Sequence, residues 1–255
     1  MQSVPIKIDR TWFSTFQNCM NQDSGWATWE QFQLAIEAAE AQTITDFSEL
    51  SCLRYITDFT PLPHQIKTAQ RVINEMRGRA ILADEVGLGK TIEAGLVFKE
   101  YMDRGLVQNA LILVPSSLVL QWTRELNQKF RIPAVAQKKA WMWDKHNILV
   151  ASLDTAKRDP HREKVLAKHF DLLIVDEAHK LKNRRTKNWQ FVNEIRKKYC
   201  LLLTATPVQN NLDELYNLVT LLKPGHLGRP SNFQSTYVSD KRTPKNEKEL
   251  RAEIE

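Results

Sequence analysis

Cysteine is scarce in this chain: Cys19, Cys52 and Cys200 lie far apart among 255 residues, and no two of them form a Cys-x-x-Cys pair. That spacing supports neither a disulfide scaffold nor a zinc site. Reduced thiols in a cytoplasmic protein, or a nuclear one in a nucleated host, are the expectation. Long apolar runs are missing too. Nothing approaches the roughly 18 consecutive apolar residues of a membrane span. The first ten residues, MQSVPIKIDR, lack the apolar core of a secretory leader, so no membrane partner is expected. Compositional bias is also absent. With 42% apolar and 26% charged residues, disorder, collagen and coiled coil are all disfavoured. At roughly 100–200 residues per domain, the length suits one large α/β domain with or without an appendage.

Charge is present but uneven. The whole chain carries +6, yet between Lys180 and Lys198 eight basic residues face one acid, Glu194, a local balance of +7. Such a run is usually a solvated helix face; a polyanion partner is the sharper alternative.

Residues 1–60 crowd Trp12, Phe13, Phe16, Trp26, Trp29 and Phe32 without strand alternation and read as a helical appendage. Thr28 and Gln31 make a capping box, and Trp29, Phe32, Ile36 and Ala39 then share one helical face. Core packing is the preferred use of that stripe. The Pro61-Leu62-Pro63 step marks the boundary. From residue 64 a unit repeats: a short apolar run, a polar turn, an amphipathic helix. The runs are 80–83, 110–114, 148–151, 172–175 and 201–203, with helices at about 64–77, 90–103, 117–129, 187–197 and 211–222. Runs that are apolar on both faces predict buried parallel strands in an α/β, mostly parallel sheet with helices on both sides. Ligands of such sheets bind at the carboxyl ends of the strands. Residues 229–255 turn into a charged helix with few anchors, which reads as a linker in a longer protein.

Three strand ends carry chemistry. ADEVGLGKT, Ala83–Thr91, stands between a strand and a helix. Gly87 and Gly89 let the backbone approach phosphate, Lys90 reaches the terminal phosphates, and Thr91 offers a hydroxyl to magnesium. The strict P-loop pattern is broken, because Asp84 holds the first glycine position. A glycine turn with a solvent lysine is the plainer alternative. About 85 residues on, the run 172–175 ends in Asp176-Glu177-Ala178-His179. One carboxylate can hold magnesium and the next can activate water; a solvated strand end is the alternative. Finally, LLLTATPVQNN opens a strand into Thr204 and Thr206, which could bond His179 and report the state of the phosphate site.

In this order and spacing the blocks resemble helicase superfamily two, in its Swi/Snf-like branch of double-stranded DNA translocases, over about residues 60–230. DEVGLGKT is similar to motif I, where aspartate at the first glycine position is a normal variant. ILVPSSLVLQW is similar to motif Ia, ILVASLD to Ib, DEAHKLKN to motif II, a DEAH box, and LTATPVQNNLDELYNLVTLLKPGHLG to motif III. DEVGLGKTIEAG after LPHQ looks closest to the bacterial RapA-like subgroup, whose founding member recycles RNA polymerase.

The resemblance implies a RecA-like P-loop lobe over residues 61–228. Adenine sensing falls to Gln65 with His64 beside it, and the phosphate cradle to Asp84, Glu85, Gly87, Leu88, Gly89, Lys90 and Thr91. Asp176 would join Thr91 on magnesium, Glu177 would activate water, and His179, Thr204 and Thr206 would couple. Ser116, Ser117, Ser152 and Gln209 would touch nucleic-acid phosphates, joined by Lys182 and Arg184 from the basic run. A helix cap is the alternative use of each serine. The cofactors implied are ATP and Mg2+, and the partners are double-stranded DNA, RNA polymerase or another DNA-bound protein, and a second RecA-like lobe. That lobe supplies arginines in this family, and nothing after Gly228 resembles it, so the chain alone is expected to hydrolyse ATP slowly or not at all. A strand-separating or RNA-directed helicase is one rival reading; a non-enzymatic module that binds a partner through residues 1–60 is another.

Overall fold

The computed structural model describes residues 28–43, 49–83, 89–205, 212–240, 243–246 and 250. Asp84, Glu85, Gly87, Leu88, Thr206 and Gln209 lie outside the described residues, as do Trp12, Phe13, Phe16 and Trp26. The chain divides into two compact units, Met1–Asp46 and Phe47–Glu255.

In the first unit, helix α1 spans Trp29–Thr43. The capping box forms as expected: the Gln31 N–H donates to Thr28 Oγ1 at 3.3 Å, and the Thr28 N–H donates to Gln31 Oε1 at 3.0 Å. The fate of the apolar stripe differs from expectation. Trp29 is 72% exposed, Phe32 49% and Ile36 43%, and Trp29 stacks on Phe32 with ring centroids 5.6 Å apart. Helical spacing gathers apolar residues on one face, but it does not supply the surface that covers them.

The second unit is built on a parallel sheet. In chain order its principal elements are α2 (Pro63–Asn74), β1 (Arg79–Leu82), α3 (Lys90–Asp103), β2 (Ala110–Val114), α4 (Val119–Phe130), β3 (Val135–Ala136), β4 (Ile148–Ser152), α5 (His161–Ala167), β5 (His169–Val175), α6 (Lys187–Glu194), β6 (Arg196–Leu203), α7 (Leu212–Leu222) and α8 (Pro230–Tyr237). The strands lie side by side as β1-β6-β5-β2-β4-β3, every pair parallel. All five apolar runs read from the sequence are strands. Successive residues serve opposite faces: Ile112, Val150, Ile174 and Leu203 join one core with α2, α3 and α4, while Leu113, Ala151, Val175 and Leu202 join the other with α6 and α7. Burial on both faces is why these strands are apolar throughout rather than alternating.

Registry sets where the loops emerge. Leu82 pairs with Leu203 and Val175 with Leu202, so β1, β6 and β5 end level with one another. The turns that follow them therefore leave from adjacent points on one edge of the sheet. The two segments expected to form the phosphate site follow strands separated by β6, not direct neighbours, because the chain returns between β5 and β1 for the last strand of this sheet.

The boundary between units also falls earlier than the proline step. Residues Ser51–Tyr55 form a 3-10 turn fastened to the fully buried Glu100 of α3. The Cys52 N–H donates to Glu100 Oε2 at 2.8 Å, the Ser51 hydroxyl donates to Oε1 at 3.0 Å, and Arg104 Nε meets Oε1 at 2.6 Å. Burial alone would raise the Glu100 carboxyl; these bonds outweigh it and hold the group below its usual range. Burial, followed by the Glu100 charge, pushes the Cys52 thiol up, which leaves it an inert core residue.

Candidate functional site

Three adjacent strand ends build the site, and the first is β1. Described backbone resumes at Gly89, which caps α3 with φ 91° and ψ 35°, a left-handed conformation that glycine adopts at little cost. A second constraint acts there: a Cβ on Gly89 would lie 2.2 Å from Gln65 Nε2. Gln65 is itself buried, and its Oε1 accepts the Leu62 N–H at 2.9 Å. The start of α2 thus presses Gln65 against Gly89. His64 beside it is exposed. Lys90 and Thr91 are the first two residues of α3 and half-buried. There the helix dipole favours an anion.

The second end is β5. Asp176 is half-buried and fastened at three points. Its N–H donates to Leu113 O at 2.9 Å, its Oδ2 accepts the Trp122 indole N–H at 2.9 Å, and its Oδ1 accepts the Glu177 N–H at 2.8 Å. Burial pushes the Asp176 carboxyl above its usual range, helped by the Glu177 charge; the Trp122 and Glu177 bonds and the Lys90 ammonium act the other way. The influence of Lys90 places the first and second strand ends in one electrostatic neighbourhood. Glu177 takes a left-handed backbone, φ 52° and ψ 46°, which costs a non-glycine residue about 1–3 kcal/mol and recurs at functional sites. Its Oε2 meets His179 Nδ1 at 2.9 Å.

The third end, β6, lies between the other two. Thr204 is buried and its N–H donates to Leu82 O at 3.0 Å, which ties the end of β6 to the end of β1. The Thr91 hydroxyl and the Asp176 carboxylate are hard oxygen donors, the kind that magnesium accepts while it keeps several waters, so the residues present fit that ion.

The expected nucleic-acid contacts stand further along the same edge. Ser116 and Ser117 are exposed and open the turn between β2 and α4. Ser152 ends β4 opposite Val114 of β2; it is buried, and its Oγ finds no hydrogen-bond partner. The two residues singled out of the basic run separate. Arg184 is exposed, whereas Lys182 is buried with its ammonium 3.1 Å from Glu214 of α7. A count of charges along the sequence does not show which are already paired. Sequence reasoning also missed Trp122 as a site residue. Its place in the stripe Leu118, Trp122, Leu126 and Phe130 accounts for its burial, but the indole N–H is the feature that reaches the site.

Residues 64–255 match the SNF2-related domain family. The chain is 55% identical over 233 residues to a Bacillus subtilis (strain 168) protein described as an uncharacterized ATP-dependent helicase, YqhH, covering 91% of this chain and 42% of that protein. It is 35% identical over 216 residues to the RNA polymerase-associated protein RapA of Actinobacillus pleuropneumoniae serotype 5b (strain L20), covering 76% of this chain and 22% of that one. Among solved structures it resembles the Sulfolobus solfataricus SWI2/SNF2 ATPase core in complex with dsDNA, with TM-score 0.67 and 28% identity over 78% of this chain and 44% of the other. The chain thus spans less than half the length of these relatives. With a parallel RecA-like sheet, and with three quarters of its length matched, the chain belongs to the SNF2-related domain family of Swi/Snf-like superfamily two ATPases.

Proposed function

We propose that this chain is the ATP-binding first lobe of a DNA-dependent ATPase that translocates on double-stranded DNA and displaces bound protein. The observation that carries this reading is the level, adjacent termination of β1, β6 and β5, which gathers Lys90, Thr91, Thr204, Asp176 and Glu177 on one edge. The lobe comprises residues 61–228 together with the 51–55 turn fastened to α3, and 229–255 lead toward a second one.

In this reading Lys90 binds the terminal phosphates and Gln65, held against Gly89, contacts the adenine. Thr91 and Asp176 would hold magnesium. Bound magnesium would supply charge neutralisation across the β- and γ-phosphates. Glu177 takes the proton of the attacking water, with His179 at 2.9 Å fixing its carboxylate. Thr204, pinned between the two halves, relays the state of the phosphates outward. Duplex DNA as the track is supported by the archaeal relative captured with dsDNA. The name of the RapA relative supports RNA polymerase, or another DNA-bound protein, as the object displaced.

The reading is tested by ATP turnover and by strand separation in the full-length protein. Duplex-stimulated hydrolysis without unwinding of a tailed duplex is the expected result; unwinding turns the assignment to a strand-separating helicase. Two variants refine it. Lys90→Ala removes at least two charge-assisted bonds of roughly 1.5–3 kcal/mol each, so ATP affinity measured by calorimetry should fall about a hundredfold or more. Unchanged affinity would sink the phosphate cradle. Arg184→Glu should reduce the slope of log affinity for duplex DNA against log salt by about 1, and an unchanged slope returns Arg184 to a solvated surface. Lys182 is a poor target for that experiment, since reversing it breaks the Glu214 pair.

A further inference from the structure

Trp122 is more than a packing residue. The residue is 2% exposed, and a phenylalanine would keep an aromatic ring in most of the same space. What phenylalanine lacks is the indole N–H, a donor that needs an acceptor when buried. That acceptor is Asp176 Oδ2, at 2.9 Å and 54 residues away in sequence. The rest of α4 keeps the donor in place, because Leu126 and Phe130 are buried one and two turns further on, and Phe130 meets the Phe59 ring edge-on at 5.4 Å. The other two ties on Asp176 come from main-chain N–H groups or run to a main-chain carbonyl. Trp122 is therefore the tie that a change of side chain can remove.

We propose that Trp122 is a positioning residue for the magnesium carboxylate: its indole N–H fixes the Asp176 side chain in the orientation that a magnesium-bearing nucleotide requires. This rests on the reading of Asp176 as a magnesium ligand given above. A buried indole presents its donor in a fixed direction, so one oxygen is held from the side chain while the Glu177 N–H holds the other. The remaining lone pairs are left to the ion or its waters. Groups that orient a metal ligand from behind commonly contribute about 10–100-fold to metal affinity.

The test is ATP affinity by calorimetry on this chain, in EDTA and in saturating magnesium, for the wild type, Trp122→Phe, Asp176→Asn and the double variant. The wild type should bind more tightly with magnesium, and Asp176→Asn should lose that gain. Trp122→Phe should match the wild type in EDTA yet lose about 10–100-fold of the magnesium-dependent gain. In the double variant the tryptophan change should add nothing. Trp122→Tyr, whose hydroxyl does not fall where the indole nitrogen does, should behave as Trp122→Phe and takes its place if the latter fails to fold. If Asp176→Asn loses the gain while both tryptophan variants keep it, the positioning role is overturned and the magnesium assignment stands. Equal weakening with and without magnesium overturns it in favour of plain packing. Full magnesium dependence in Asp176→Asn overturns the magnesium assignment, and the role of Trp122 with it.

Discussion

ATP turnover by residues 1–255 alone is expected to run about 10³–10⁵-fold below that of the same lobe joined to a second RecA-like lobe. In the proposed site the groups gathered at the strand ends would act on the phosphates from one side. In the proposed mechanism Lys90 binds ground-state charge and Glu177 handles a proton; the charge that develops on the transferring phosphoryl group needs a further cation. In Swi/Snf-like enzymes arginines of the second lobe supply it, and transition-state cations of this type are worth that factor. Nucleotide binding makes smaller demands, because in the proposed site the N-terminus of α3 and Lys90 are enough to offer donors to phosphate. Binding without turnover is therefore the expected pairing for this chain. Steady-state phosphate release with magnesium, with and without duplex DNA, decides it. DNA-stimulated turnover by this chain at the two-lobe rate would mean that it completes its own site, for example by pairing with a second copy.

The second large effect is at Glu177. In the two-lobe protein Glu177→Gln should lower turnover by about 10²–10⁴-fold, the usual contribution of a positioned general base, while ATP affinity stays as it was. The amide matches the carboxylate in size, so the turn that begins at Glu177 is kept; what is lost is the capacity to take a proton. Paired binding and turnover measurements separate this from a defect of the cradle, in which both would fall. Retained turnover in Glu177→Gln would remove Glu177 from the mechanism.

Much of this was legible in the sequence because burial on both faces leaves its mark as apolar runs, and all five runs are strands. The parts that stayed hidden share a cause: each depends on a partner distant in sequence. β3 has two residues, too few for any pattern. β5 and β6 begin earlier than their apolar runs, at His169 and Arg196, where polar residues and an exposed-then-covered alternation interrupt the apolar pattern at the start of each strand. Strand order is not encoded in any single run, so the insertion of β6 between β1 and β5 could not be read. The site followed the same rule. Lys90, Thr91, Asp176 and Glu177 sit in local motifs and could be named as candidates from the sequence. Trp122 on Asp176, Gln65 on Gly89 and Lys182 on Glu214 are side-chain meetings across 24 to 54 residues, and a linear pattern carries no sign of them.

The attachment of residues 51–55 to Glu100 has a practical corollary for anyone who would shorten this protein. The proline step at 61–63 looks like the natural place to cut, yet a fragment starting there would leave the Glu100 carboxylate inside α3 without its Ser51 and Cys52 donors. The helix that loses those donors is the one whose first turn carries Lys90 and Thr91. A soluble minimal lobe should therefore begin ahead of Ser51, and an N-terminal affinity tag belongs on that side of the turn.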